Sequence, residues 1–290
     1  MEKSICYNTY MKRLKSSKFL IPVLIVIIFI LILYILVRQN TSKNIEEEKT
    51  TEFTEETEVV KETPKLIDES LYEEKSYTQP TQYTTFKISY PQFKNTSAGF
   101  NKKIEDLVTG GIDAQKKDSE ESWKARYETR SPGDKITEFP SVEEKFYFNV
   151  SWKPIQVNDE FISSILTVSG YTGGAHGYEN STSFNYDVIN RKEIALADLF
   201  PSDPNYLKTI STFSRKNLET QFRKSLNIKT KDDEANFKDS VIPMLTEGTM
   251  PTLDNFSVFT FTEDSITFYF AQYQVGPYTM GEPKVIMPRK

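Results

Sequence analysis

Hydrophobic positions along the chain fall into three regimes. Phe19–Val37 (FLIPVLIVIIFILILYILV) is apolar without interruption for 19 residues. At about 1.5 Å per residue that is long enough to cross the roughly 30 Å hydrocarbon core of a bilayer. Asn40–Ser76 has few apolar residues and no sustained period, so it cannot bury enough surface to offset the entropy of ordering. From Tyr77 to Lys290 apolar residues return in short periodic runs.

In that last regime, two-residue alternation predicts strands and three-to-four-residue spacing predicts helices. Tyr83–Tyr90 (YTTFKISY) reads as a strand stopped by Pro91. Further strands are expected at Lys145–Trp152, Phe161–Tyr171 and Ser181–Val188. Phe256–Val275 reads as two strands about a turn at Glu263-Asp264, and Pro283–Met287 as a last short one. Residues 98–129 carry a helical stripe of Phe100, Ile104, Leu107, Val108 and Ile112, with a weakening or break expected near Gly110-Gly111. A second helix opens with Asp203 as N-cap and Pro204 at its first position, and runs to about Leu226. Its apolar face is Leu207, Ile210, Phe213, Leu218 and Phe222. Without a βαβ rhythm, the class is α+β: mostly antiparallel sheet with packed helices, behind a single N-terminal transmembrane helix and a disordered acidic stalk.

Charge refines the ends of the chain. The formal net charge is −5, yet Asn40–Ser76 alone holds 12 acids and five lysines, so the acidity belongs to the stalk. Lys3, Lys12, Arg13, Lys15 and Lys18 precede the apolar run against the single acid Glu2, which places that flank in the cytoplasm and the rest outside. Arg38-Gln39-Asn40 follows the run in place of a small-residue cleavage site, so the span reads as an uncleaved anchor. The expected organisation is a cytoplasmic tail 1–18 (eight residues if Met11 is the start), a span 19–37, a stalk 38–76, and folded domains 77–152 and 153–290. The expected location is the cell membrane, single-pass, with the folded part extracytoplasmic. Cys6, the only cysteine, lies on the cytoplasmic side, leaving no disulfide and no thiol nucleophile outside.

Candidate chemistry centres on residues 171–178, YTGGAHGY, which hold the only histidine, His176. A nucleophilic triad needs a nucleophile, a base and an orienting acid, and no G-x-S-x-G elbow or exported cysteine supplies the first. The 28 acids beyond residue 76 form no recognisable catalytic pair, and no glycine pattern that cradles phosphates is present. No cofactor, metal or nucleic-acid partner is expected. Gly170, Gly173, Gly174 and Gly177 point to a tight bend between strands, with His176 bracing the loop through neighbouring backbone. As a binding surface, the same loop offers Tyr171, Gly173, Gly174, His176 and Tyr178. A second candidate is Tyr273, Pro277 and Tyr278, where a rigid loop presents aromatics to a partner or covers the sheet edge.

The ordered set YTGGAHGY, FNYD, LADLF and TLDNFSVFTFTEDSITFYFAQYQVGPYTMGEPKVIMP resembles the carboxy-terminal ectodomain module of the RsiV/PdaC family. Upstream, YTTFKISYPQF followed by NKKIEDLV resembles the PdaC-type domain that precedes it, so the resemblance covers residues 83–290. It implies a PdaC-type domain over 77–152 and an RsiV-ectodomain-like domain over 153–290. In the family, one member is an anti-sigma factor whose outer domain binds lysozyme, and another is a peptidoglycan deacetylase with a further metal-dependent domain. The 18 residues before the span are short for holding a sigma factor, one histidine cannot build a metal-dependent centre, and the chain given stops at Lys290. The resemblance therefore implies a non-catalytic binding or sensor module, facing lysozyme or a cell-wall glycan or protein. The alternatives are a wall-acting hydrolase and an accessory subunit of an envelope complex.

Overall fold

The first strand begins inside the stretch read as stalk. A computed structural model describes residues 66–125, 145–173 and 175–289. Strand β1 (Tyr72–Pro80) pairs antiparallel with β2 (Thr84–Phe93), from Tyr72 opposite Phe93 to Pro80 opposite Thr85. Beyond Tyr72 every β1 residue is exposed, so the strand shows no apolar alternation and escapes a hydropathy reading. Just before it, Val157 N donates to Leu66 O at 2.8 Å and Asp68 N to Val157 O at 2.7 Å, so residues 66–76 belong to the fold. The predicted tail, the anchor 19–37 and stalk residues 38–65 lie outside the described residues. Among those described, no helix is long and apolar enough to cross a membrane.

Pro91 does not stop β2. The strand pairs in parallel with β3 (Phe146–Val157) only from Thr84 to Ile88, so Pro91 falls where just one neighbour needs hydrogen bonds. Between β2 and β3 comes helix α1 (Ala98–Trp123), making one βαβ unit where the sequence predicts none. Ser97 caps it, its Oγ accepting from Phe100 N at 3.3 Å. The helix runs unbroken through Gly110-Gly111, contrary to the expected break. A Cβ on Gly111 would stand 2.8 Å from Phe148 Cζ, whereas one on Gly110 meets nothing within 4 Å. Only the first glycine-specific contact is a matter of packing: the backbone of α1 lies directly on the Phe148 ring.

The sheet continues antiparallel through β4 (Phe161–Tyr171), β5 (Tyr178–Asp187) and the two-residue β6 (Lys192–Glu193), giving six strands in sequence order. The boundary placed at 152/153 therefore falls within β3. Phe100, Ile104, Val108 and Ile112 of α1 are buried against Phe86, Ile88, Phe148, Val150, Phe184 and Tyr186. Phe100 sits 4.7 Å from the Tyr186 ring and edge-on to Phe184 at 6.1 Å. Each such buried side chain contributes about 1.5–3 kcal/mol relative to exposure. Leu107, assigned to the same stripe, is 40% exposed.

The second half carries its own core. Helix α2 (Tyr206–Ser225) begins after Asn205, two residues later than predicted. Asp203 is not the cap but an anchor before it, accepting from Asn205 N at 2.8 Å and Thr209 Oγ1 at 2.9 Å. Helices α3 (Lys231–Asn236) and α4 (Ile242–Gly248) flank a π-helical turn at Phe237–Val241, a region the sequence reading left without elements. A short antiparallel sheet closes the half: β7 (Phe259–Phe261), β8 (Ser265–Tyr269) and β9 (Lys284–Pro288). The turn at Glu263-Asp264 stands as predicted, but both strands are shorter than expected. Ile210, Leu218, Phe222, Phe237, Leu245, Phe256, Phe268 and Val285 pack together here.

The two halves meet across the face of β3–β5 opposite α1. That face is largely polar, with Phe161 and Ile165 as apolar members; Phe161 stands edge-on to Phe261 of β7 at 5.8 Å, and β7 also docks by hydrogen bonds. Phe261 N donates to Ser163 Oγ at 2.9 Å, Phe259 N to Ser183 Oγ at 3.1 Å, and Asn185 Nδ2 to Phe259 O at 2.8 Å. Outward amides of β5 are taken by side chains from the loop before β9. Ser181 N donates to Glu282 Oε1 at 2.9 Å and Glu179 N to Gln272 Oε1 at 3.3 Å.

Candidate functional site

The β4–β5 hairpin positions the first candidate loop. Gly173 holds φ 100, a left-handed conformation that favours glycine; Gly174 lies outside the described residues. Gly170 and Gly177 serve by close approach instead. A Cβ on Gly170 would meet Tyr178 Oη at 2.5 Å, and one on Gly177 would meet Tyr147 Oη at 2.6 Å. Tyr178 thus lies across β4 and donates to Gln115 Oε1 of α1 at 3.1 Å. Gln115 in turn donates through Nε2 to Tyr147 O at 3.2 Å and Tyr171 O at 3.3 Å, latching the ends of two strands to the helix. Burial, then the nearby Asp118 carboxylate and Tyr147, raise the Tyr178 phenol above its ordinary range. Tyr171 stacks beside Tyr147 with centroids 6.2 Å apart. Both tyrosines of the loop therefore have bracing roles, although Tyr178 keeps 38% of its surface exposed.

The second loop is fixed by Gln274. Its Nε2 donates to Gly248 O and Asn255 O, each at 3.0 Å, and its Oε1 accepts from Ala271 N at 3.0 Å. Gly248 has no room for a side chain, since a Cβ would collide with the Gln274 carbonyl. This grip holds Tyr273 at φ 67, a conformation uncommon for a tyrosine, and leaves it 53% exposed. Pro277 caps a 3-10 turn over Tyr278–Met280, which aims Tyr278 back across the molecule.

The two loops converge. Tyr278 stacks on His176 with centroids 3.8 Å apart and rings 24° from parallel, and donates to Gly177 O at 3.1 Å. His176 Nδ1 lies 2.8 Å from the same carbonyl, which can only accept, so Nδ1 carries a proton. In the neutral ring Nε2 is then an acceptor, and the Tyr273 hydroxyl, 3.3 Å away, donates to it. His176 thus has the backbone-bracing role expected of it, and neither of its partners is a carboxylate. Two candidates read separately from the sequence form one aromatic cluster, joined by contacts 97 and 101 residues apart along the chain.

Beside this cluster the outer face of the sheet opens into a cleft of about 360 Å³. Its floor is Asn149, Ser169 and Glu179, three residues brought level by the registers of β3–β4 and β4–β5. Tyr147 and Tyr278 flank the floor, and Gln272 contributes from the second half. The side chains of Asn149, Ser169 and Glu179 have no polar partner among the described residues, and among those residues no group of three His, Cys, Asp or Glu side chains could hold a metal ion. Sequence reading missed Asn149, Ser169, Glu179 and Gln272, because polar residues alternating along a strand look like an ordinary solvent face.

Fold and site together define a two-sheet α+β unit whose halves share one aromatic-walled cleft. Residues 77–179 match the family model described as deacetylase PdaC, and residues 197–290 the one described as a protein of unknown function, DUF3298. The chain carries a PdaC-like domain and a DUF3298 domain in tandem, as the sequence resemblance implies. A curated relative is the peptidoglycan-N-acetylmuramic acid deacetylase PdaC of Bacillus subtilis (strain 168), 30% identical over 141 residues. That match takes in 49% of this chain but only 27% of the relative. A crystal structure of a DUF3298-family member from Bacteroides fragilis NCTC 9343 is 17% identical with a TM-score of 0.51, covering 75% of this chain and 89% of that one. It shares the fold. A DUF3298-family protein of Pseudomonas aeruginosa PAO1 is 14% identical over the same shares, with a TM-score of 0.38.

Proposed function

We propose that this chain is a membrane-anchored, extracytoplasmic module of the cell envelope that binds a ligand without turning it over. The observation that carries the reading is the convergence of His176, Tyr273 and Tyr278 into one partly exposed aromatic cluster. Rigid aromatics held on braced loops give large contact area at small entropic cost, the usual chemistry of a recognition hot spot. The apolar run Phe19–Val37 and its basic flank support the anchor and the orientation. The similarity to an enzyme acting on peptidoglycan supports an envelope setting. Lysozyme and wall components are the ligands this reading favours.

Titration of the full chain in mild detergent with lysozyme and with wall fragments tests it. Binding is expected with at least one of them, and Tyr278→Ala should weaken it by about 2 kcal/mol while the melting temperature stays near that of the parent. Hydrolysis or deacetylation of the wall fragments by the purified chain would overturn the non-catalytic assignment.

A further inference from the structure

The cleft beside the aromatic cluster has its own chemistry, and it points to a narrower ligand than the cluster alone. Besides the phenols of Tyr147, Tyr178 and Tyr278, its polar side-chain groups are the Asn149 carboxamide, the Ser169 hydroxyl, the Glu179 carboxylate and the carboxamide of Gln272. Gln272 accepts from Glu179 N through its oxygen, and its amide nitrogen carries two further N–H donors. Together these groups present both donors and acceptors at closely spaced points on a flat floor. No lysine or arginine lines the cleft, and Glu179 is its only ionised group. A phosphodiester or other anionic polymer would meet a like charge with nothing to compensate it.

The walls add a second constraint. The Tyr147 ring is held by stacking with Tyr171, and Tyr278 is held by stacking with His176, so two aromatic side chains are fixed in place before any ligand arrives. Aromatic faces carry negative quadrupole density and attract the weakly positive C–H groups of an apolar ring face. A ligand matching floor and walls has hydroxyl groups around its edge and C–H groups on its faces. That is the surface of a pyranose ring. At about 360 Å³ the cleft lies within the range of small-ligand pockets.

We infer that this cleft is a subsite for one uncharged pyranose unit of a glycan, with Asn149, Ser169 and Glu179 bonding its hydroxyls and Tyr147 and Tyr278 covering its faces. The inference rests on the binding-module reading, and narrows it from an envelope ligand to a neutral sugar at a named place. Nothing in it requires a bond to be made or broken.

The test titrates the full chain in detergent with chitotetraose and cellotetraose, following tyrosine fluorescence and calorimetric heat, with polyphosphate as the anionic control. At least one neutral tetrasaccharide should bind in the millimolar range or tighter, and polyphosphate should not compete. Asn149→Ala should weaken binding about tenfold, the scale of one lost hydrogen bond to a polar ligand. Ser169→Phe, which fills the floor, should abolish it. Both variants must melt within a few degrees of the parent. If neither sugar binds, or if both variants bind as the parent does, the subsite is wrong. Retention of lysozyme binding in that case would leave the binding-module reading standing, so the two failures are distinguishable. Tighter binding of chitotetraose would assign the floor amides to an acetamido group.

Discussion

The two faces of the six-stranded sheet are built on opposite principles. Against α1 the sheet offers Phe148, Val150, Leu166 and Phe184, and packing is close enough that a glycine is required at 111. On the other face it offers Ser163, Ser181, Ser183 and Asn185, and the second half docks on those groups through aimed hydrogen bonds. Apolar burial is strong and indifferent to orientation, whereas hydrogen bonds are modest in net energy and strict in geometry. The helix face is therefore held chiefly by apolar burial. The other sets how the halves are placed, and with them the cleft.

The sharpest way to break that comparison is Phe148→Ala. The ring is 1% exposed, and its loss should cost about 3–5 kcal/mol in urea or thermal unfolding. A loss below about 1 kcal/mol would mean that packing on the helix face is not what holds the fold. Next in size is a contrast within one helix. Gly111→Ala should destabilise by about 1–3 kcal/mol through overpacking against Phe148. Gly110→Ala, one residue away in open space, should stabilise by about 0.5–1 kcal/mol through restored helix propensity. Equal responses at the two sites would refute the close approach.

The smallest effect belongs to the polar face and depends on pH. Burial pushes the Asp187 carboxyl up, but the side-chain and backbone N–H groups of Asn190, with Lys192 nearby, outweigh it and hold the group below its ordinary range. A lowered folded pKa contributes stability that is present above the unfolded value of about 3.9 and is lost as pH falls through the folded one. Unfolding below about pH 4 should therefore steepen, and Asp187→Asn should flatten that acid limb. Gly110→Ala should leave its slope unchanged.

What the chain's pattern reveals divides along the same line. Strands β3, β4 and β5 are readable because one of their faces is apolar, and α1 because its buried residues recur every three or four positions. β1 is not, since an edge strand exposed on both faces carries no alternation to detect. The stripe Phe237, Val241 and Leu245 is regular, but the short α3 and α4, the π-helical turn and Pro243 interrupt the window in which a helix is recognised. At the site, each loop is legible from its glycines, prolines and tyrosines. Their meeting depends on β7 docking across the sheet, which no local pattern encodes. The cleft floor is still less visible, because it exists only once three strands are in register.

The capping of β5 by Gln272 and Glu282 has a consequence for how copies of this protein can associate. Bare amides along a sheet margin are an invitation to any passing strand. Here two side chains already sit in the seats such a strand would take at Glu179 and Ser181. The opposite margin, β1, has no strand beyond it among the described residues, and meets solvent behind Glu73, Glu74 and Lys75. Strand addition is thus opposed on one side of the sheet by occupancy and on the other by charged side chains.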